Sequence, residues 1–257
     1  MRNSAKTTET AASGEQHSYN AFAAVDDVET GRQSLFRPKL DILPATQRLI
    51  WEELNQVPSS FVLYGGTAMA LRLGHRQSVD FDFFSNERFE PSNLLWSLGS
   101  LRESRVDQRG DNTLSVVVDR SEPVRLSFFG EVGMNRIQDP DVAPDNRLQV
   151  ASLLDLTATK LKTIQQRAEA KDYRDIAAAF DAGIGLAEAL GAATAVFGKA
   201  FNAMAALKAL TYFGDGNLPS LPTRLQDRVR TSAETLKLEA VPRMVPKPGI
   251  QRQDLPR

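Results

Sequence analysis

Between Leu40 and Val150 short stretches of alternating apolar and polar residues are broken by turn residues, whereas from Ser152 onward alanine and leucine recur every three or four positions. The first pattern predicts strands interleaved with short helices, and the second a run of helices. A helix is expected over 44–57 with Pro44 near its start, a buried strand over 60–64, and a short helix over 67–73 ended by Gly74. Strict alternation over 78–84 predicts a strand, 92–100 a helix, and 103–109, 113–119 and 124–130 further strands, two of them in hairpin-like order. Five helices follow, over 152–170, 171–183, 186–198, 199–213 and 222–238. The chain therefore divides into four parts. A polar arm without hydrophobic period, 1–35, is expected to be disordered, and a sheet-bearing α/β unit occupies 36–150. A helical unit occupies 151–241, and a proline-rich flexible tail 242–257.

One stretch in the first half departs from simple core patterning. In LYGGTAMALRLGHRQSVDFDFFS, residues 63–85, two glycines separate a strand from a helix, and the next strand carries Asp80 and Asp82 between Val79, Phe81 and Phe83. Alternate residues of a strand share a face, so both carboxylates project together while the phenylalanines fill the other side. Aspartate is depleted in strands, and two like charges held that close are costly without a cation between them. Carboxylate oxygens suit Mg²⁺ or Mn²⁺ completed by substrate phosphates. Gly65 and Gly66 let the backbone approach a ligand, and the following helix offers free N–H groups to an anion, with the Thr67 hydroxyl as an N-cap. The same glycines also make a plain tight turn capped by Thr67, so the pair alone does not choose between the two. Arg76 and Ser78 lie just upstream of the aspartates, and Arg76 suits either a salt bridge to them or a phosphate.

Composition narrows the chemistry further. The chain of 257 residues has 42% hydrophobic and 25% charged residues and a formal charge of −1, so any nucleic-acid contact has to come from a local basic patch. With no cysteine and only His17 and His75, disulfides, thiolate zinc sites, cysteine nucleophiles and histidine-rich metal sites are excluded. His75 reads as a turn residue or a minor phosphate contact. No apolar run is long enough to span a bilayer and the N-terminus lacks a signal-peptide core, which makes a cytoplasmic protein without membrane contact the expectation.

The glycine pair followed after 14 residues by the Asp-x-Asp strand resembles the DNA polymerase β-like nucleotidyltransferase superfamily. More narrowly, Gly-Gly-Thr with Arg-x-Ser-x-Asp-x-Asp resembles the AbiEii/AbiGii toxin branch of type IV toxin–antitoxin systems. TKLKTIQQRAEAKDYRDIAAAF in the second half is similar to that branch's helical motifs, on Lys160, Arg167, Lys171, Asp172 and Asp175. The resemblance implies an α+β fold, a mixed sheet with helices followed by an α-helical half. It implies NTP as substrate, Mg²⁺ (or Mn²⁺) on Asp80 and Asp82, and nucleotide contacts from Gly65, Gly66, Thr67, Arg76, Ser78 and Arg167. Asp80, Asp82, Lys160, Asp172 and Asp175 are the catalytic candidates. It further implies an RNA acceptor, particularly a tRNA 3′ end, a role in growth arrest or phage defence, and an antitoxin protein as partner. Lys160, Ile164, Arg167 and Lys171 step by four, three and four, which on one helix makes a basic stripe for the triphosphate or for RNA; with Lys162 it is the candidate tRNA patch. A solvated helix face, with Asp172 capping the next helix, gives the same pattern.

The same superfamily usually has a third carboxylate on a later strand. The strand in that position is VRLSFFG, and Ser127 stands where the acid is expected. Three readings follow: one metal suffices, Asp172 or Asp175 substitutes from the helical half, or the protein is a catalytically impaired nucleotide-binding module acting through protein contacts.

Overall fold

In a computed structural model, which describes residues 36–99 and 104–252, the helix expected over 44–57 is α1, Ala45–Glu53, entered through Pro44. It is followed by β1, Val62–Tyr64, and directly by α2, Gly65–Leu73. Gly74 ends α2 in the left-handed conformation (φ 65°), its N–H bonded to the Ala70 carbonyl. Only glycine adopts that backbone without penalty, which makes it the common helix terminator. Next come β2, Asp80–Phe84; α3, Pro91–Ser97; and strands β3, Arg105–Gly110, β4, Thr113–Asp119, and β5, Pro123–Phe129. Two short strands, β6, Asp141–Val142, and β7, Gln149–Val150, escape the sequence reading because two residues cannot display a period. The helical half comprises α4, Leu153–Thr163; α5, Ala170–Asp181; α6, Leu186–Phe197; α7, Ala203–Thr211; and α8, Thr223–Glu234.

The seven strands form one mixed sheet in the order β3-β4-β5-β2-β1-β7-β6. β2 lies at its centre, antiparallel to β1 and parallel to β5. The register places Asp82 between Tyr64 and Ser127, and Asp80 beside Arg125. Residues paired in this way share a face, so one side of the central sheet is polar around the two aspartates. The other side is core. Phe81 and Phe83 are fully buried, Phe83 stacks on Phe128 at 4.8 Å, and Trp51 of α1 stacks on Phe81 at 6.4 Å. The alternation in DFDFF is thus a partition between a hydrophobic layer and a chemical one.

A second apolar cluster, with Tyr173, Ile176, Leu190, Leu210 and Val229, sits among α4 to α8. The described residues nevertheless belong to one compact unit. α2 packs against both α4 and α5, and the Arg72 guanidinium bonds the Val150 and Ala151 carbonyls and Asp141. The glycine-led helix is therefore tied directly to the chain that enters the helical half. Among the described residues no single helix is long and apolar enough to cross a membrane.

Two expectations need correction. The basic stripe assumed helix across 160–171, but α4 ends at Thr163 and α5 begins at Ala170, with Arg167 in the non-helical connection between them. The proline-rich segment, read as having little to pack, is anchored over its described part, 242–252. Ile250 is buried in the first core, Arg136 exchanges backbone hydrogen bonds with Lys247, and its guanidinium reaches the Pro248 and Gly249 carbonyls. The N-terminal arm 1–35 lies outside the described residues.

Candidate active site

Gly65 turns the chain from β1 into α2 with φ 71°, and a Cβ there would overlap Asp82 Oδ2. Both facts demand glycine: the backbone is left-handed, and the space is taken by a carboxylate. A Cβ on Gly66 would lie 2.7 Å from Ser78 Oγ and 2.8 Å from Arg76 Nη2. The glycine pair, Arg76, Ser78 and Asp82 are thereby brought into one cluster at the N-terminus of α2, where the first N–H groups lack helical partners. Thr67 plays a different part from the cap expected of it. Tyr64 occupies the N-cap position, and the buried Thr67 hydroxyl donates to the Asp80 carbonyl while accepting from Gln47 Nε2 at 3.3 Å. Its side chain fastens α2 to β2 and α1, so its connection to the site runs through the backbone of Asp80.

Asp80 is exposed and Asp82 half-buried on the polar face. Burial pushes the Asp82 carboxyl above the ordinary carboxylate range, and the neighbouring Asp80 charge adds to it; Lys160, Lys171 and Arg167 oppose the shift without cancelling it. Asp80 and Asp82 on one strand face form an oxygen-only donor pair, which fits a hard divalent cation completed by phosphate and water. Among the described residues no group of three or more His, Cys, Asp or Glu side chains is placed to share a metal ion.

The acids of the helical half are in the opposite condition. Asp172 and Asp175 are fully buried, and both are closed by cations. Lys160 Nζ bridges them, at 2.8 Å from Asp172 Oδ1 and 2.7 Å from Asp175 Oδ2. Arg76 grips Asp175 with two bonds, Nε at 2.6 Å and Nη2 at 2.8 Å, and His75 Nε2 lies 2.7 Å from the same carboxylate. Arg167 binds Asp172 through Nε at 2.9 Å. Burial raises the Asp175 carboxyl, but bonds from His75 and Arg76 and the Lys160 charge outweigh it and hold the group well below its usual range. Asp172 is likewise depressed: burial raises it, while Arg167 and Lys160 more than compensate. Asp172 is not the cap of α5, whose N-cap is Glu169.

Arg76 links the network to the sheet site, since it grips Asp175 and also lies against Gly66; the charges of Lys160 and Arg167 act to lower the Asp82 carboxyl although no single helix carries both residues. The network also changes two assignments. Lys160 is buried, so it cannot be part of a surface patch, and Lys162 is occupied with the Ala200 carbonyl. Arg76 makes its salt bridge to Asp175 rather than to Asp80 or Asp82. His75, passed over in the sequence as a turn residue, is a member of the network, with Nδ1 buried and without a partner. The signal for it was adjacency to Arg76, which faces the same carboxylate.

Ser127 lies beside Asp82 in register and is buried, accepting a hydrogen bond from Ser115 Oγ at 3.1 Å. Glu131 lies beyond the end of β5 at φ 51° and accepts from Asn112 Nδ2 at 2.5 Å.

Residues 49–252 match the sequence model of the family described as Nucleotidyl transferase AbiEii toxin, Type IV TA system. A curated relative, an uncharacterized protein of Aquifex aeolicus, is 31% identical over 120 residues, 46% of this chain and 56% of that protein. The match therefore spans little more than half of that relative's length. Among solved structures, the nucleotidyltransferase toxin MenT4 of Mycobacterium tuberculosis is similar with a TM-score of 0.52 and 16% identity, over 75% of this chain and 84% of that one. A structure from H. pylori gives a TM-score of 0.50 at 16% identity, over 76% of this chain and 96% of that one. At such identities the likeness is one of fold.

Proposed function

The chain belongs to the nucleotidyl transferase AbiEii toxin family of type IV toxin–antitoxin systems, and on that premise we propose that it transfers a nucleoside monophosphate from an NTP to an RNA hydroxyl, with a tRNA 3′ end as the acceptor. The observation that carries this reading is the meeting of three elements at Asp82: the glycine turn that a Cβ would block, the second carboxylate Asp80 on the same strand face, and the charges of Lys160 and Arg167. Asp80 and Asp82 would hold Mg²⁺ or Mn²⁺, which when bound neutralises charge on the phosphates. The backbone N–H groups of Gly65 and Gly66 are suited to the β- and γ-phosphates. Lys160 and Arg167, fixed by Asp172, stabilise the negative charge that grows as pyrophosphate leaves. In the reaction the acceptor oxygen bonds to the α-phosphorus in line, the bond from the α-phosphorus to the bridging oxygen breaks, and the hydroxyl proton passes to water. The partner expected of such a toxin is an antitoxin protein, and its place of action is the cytoplasm, where tRNA is found.

A second reading, nucleotide binding without transfer, draws on Ser127 beside Asp82, where a further acid would otherwise be available. Incubation of each α-labelled NTP with total tRNA and Mg²⁺ or Mn²⁺ separates the two. Label on RNA that disappears in Asp80→Asn supports transfer. Metal-dependent NTP binding with no label for any base, and none on other RNA, supports the second reading and contradicts the first.

A further inference from the structure

Resting on the reading of Asp80 and Asp82 as the cation ligands, we propose that this site takes a single divalent cation, and that the fixed cations of the helical half do electrostatically what a second metal ion does in two-metal phosphoryl-transfer sites. Two-metal sites hold their ions about 3.5–4 Å apart between shared and separate oxygen ligands. That arrangement needs more than two carboxylates. Here each further candidate is accounted for. Ser127 stands beside Asp82, with a neutral hydroxyl hydrogen-bonded to Ser115. The neighbour of Asp80 on β5 is Arg125, itself engaged with Asp107 at 2.6 Å. Asp175 is enclosed by His75, Arg76 and Lys160, and Asp172 by Lys160 and Arg167. Glu169 pairs with Lys171 at 2.8 Å.

Charge points the same way. Lys160, Arg76, Arg167 and Lys171 give the helical network four cations for the three carboxylates Asp172, Asp175 and Glu169, so it retains net positive charge. Lys160, Lys171 and Arg167 all act on Asp82. A second divalent ion beside Asp82 would meet these like charges without an acid of its own, and desolvating it there would be uncompensated. The positive charge that a second metal brings with the substrate is instead built into the fold, on side chains held by buried carboxylates.

Electron paramagnetic resonance of the full chain with Mn²⁺ and the non-hydrolysable α,β-methylene analogues of the four NTPs reads this directly. The expected result is one bound Mn²⁺ per chain with the spectrum of an isolated ion, and none in Asp80→Asn. Ser127→Asp is expected to raise the number to two and to introduce coupling between the ions. Two coupled ions in the wild type would overturn the single-cation inference while leaving the transferase reading in place. Absence of bound Mn²⁺ with all four analogues would overturn both. Should Ser127→Asp fail to fold by circular dichroism, the count in the wild type still decides.

Discussion

Four aspartates converge on one region, and the two pairs are built in opposite ways. Asp80 and Asp82 stand on a sheet face with no cationic side chain bonded to either among the described residues, and burial together with mutual repulsion makes the Asp82 charge unwelcome. Asp172 and Asp175 are inaccessible to water, yet their charges are favoured, because Lys160, Arg76, Arg167 and His75 surround them. The residue type is the same, and the surroundings separate the pair proposed to take a cation from a pair that already holds several side-chain cations. The buried pair shapes the site by fixing the cations that face the exposed one, so the helical carboxylates act as positioning residues in this account.

If that contrast is right, substitutions should divide cleanly. Asp175→Asn leaves Lys160, Arg76 and His75 around a neutral amide in a buried place, and removal of one partner from such a pair costs about 3–5 kcal/mol. Urea unfolding should show a loss of that size; a loss below about 1 kcal/mol would break the comparison. Asp82→Asn should reverse the pattern. Stability is kept or slightly increased because repulsion with Asp80 is relieved, while transfer falls by about a hundredfold to a thousandfold, as measured by label incorporation.

Gly65→Ala tests the point where the backbone comes closest to Asp82. Left-handed backbone and overlap with Asp82 together should cost about 2 kcal/mol in unfolding free energy, and cation affinity should weaken because the carboxylate is displaced. At the small end, Lys171→Ala removes an exposed pair with Glu169, and its effect on thermal unfolding should stay within about 0.5 kcal/mol.

Acidity offers a comparison without mutation. Asp172 and Asp175 have depressed folded pKa values, so their contribution is complete above the unfolded value near 4 and is lost as the pH falls through the lower folded values. Asp82 has a raised folded pKa, so its penalty is present at neutral pH and is relieved as the pH falls through that value toward about 4. Without divalent cation, stability should therefore rise slightly on mild acidification and fall in stronger acid. Asp155 is also pushed up by burial, so in Asp82→Asn the first rise should shrink without disappearing while the acid loss remains, a pair of outcomes that denaturation at a series of pH values distinguishes.

The sheet site was largely readable from sequence because its signals are local. Alternation in DFDFF separates Phe81 and Phe83 from the aspartates, and the Gly-Gly turn sits one short helix away. The helical network was readable in most of its members but not in His75 or in the contacts among them. Nothing local shows that the chain turns between Thr163 and Ala170, that Lys160 points inward, or that His75 and Arg76, about a hundred positions earlier, meet Asp175. Thr67 misled for the same reason: a threonine after two glycines resembles a cap, and its actual partner is a carbonyl on the next strand. The packing of Ile250 depends on Arg136 and the core it meets, both far away in the chain.

Diffraction from crystals grown with Mn²⁺ and a non-hydrolysable NTP analogue, collected near the manganese absorption edge, tests the central contrast in one map. The account predicts a single anomalous peak within coordination distance of Asp80 and Asp82, with Lys160 still bridging Asp172 and Asp175. A peak on Asp172 or Asp175, or none at the sheet pair with nucleotide bound, would contradict it.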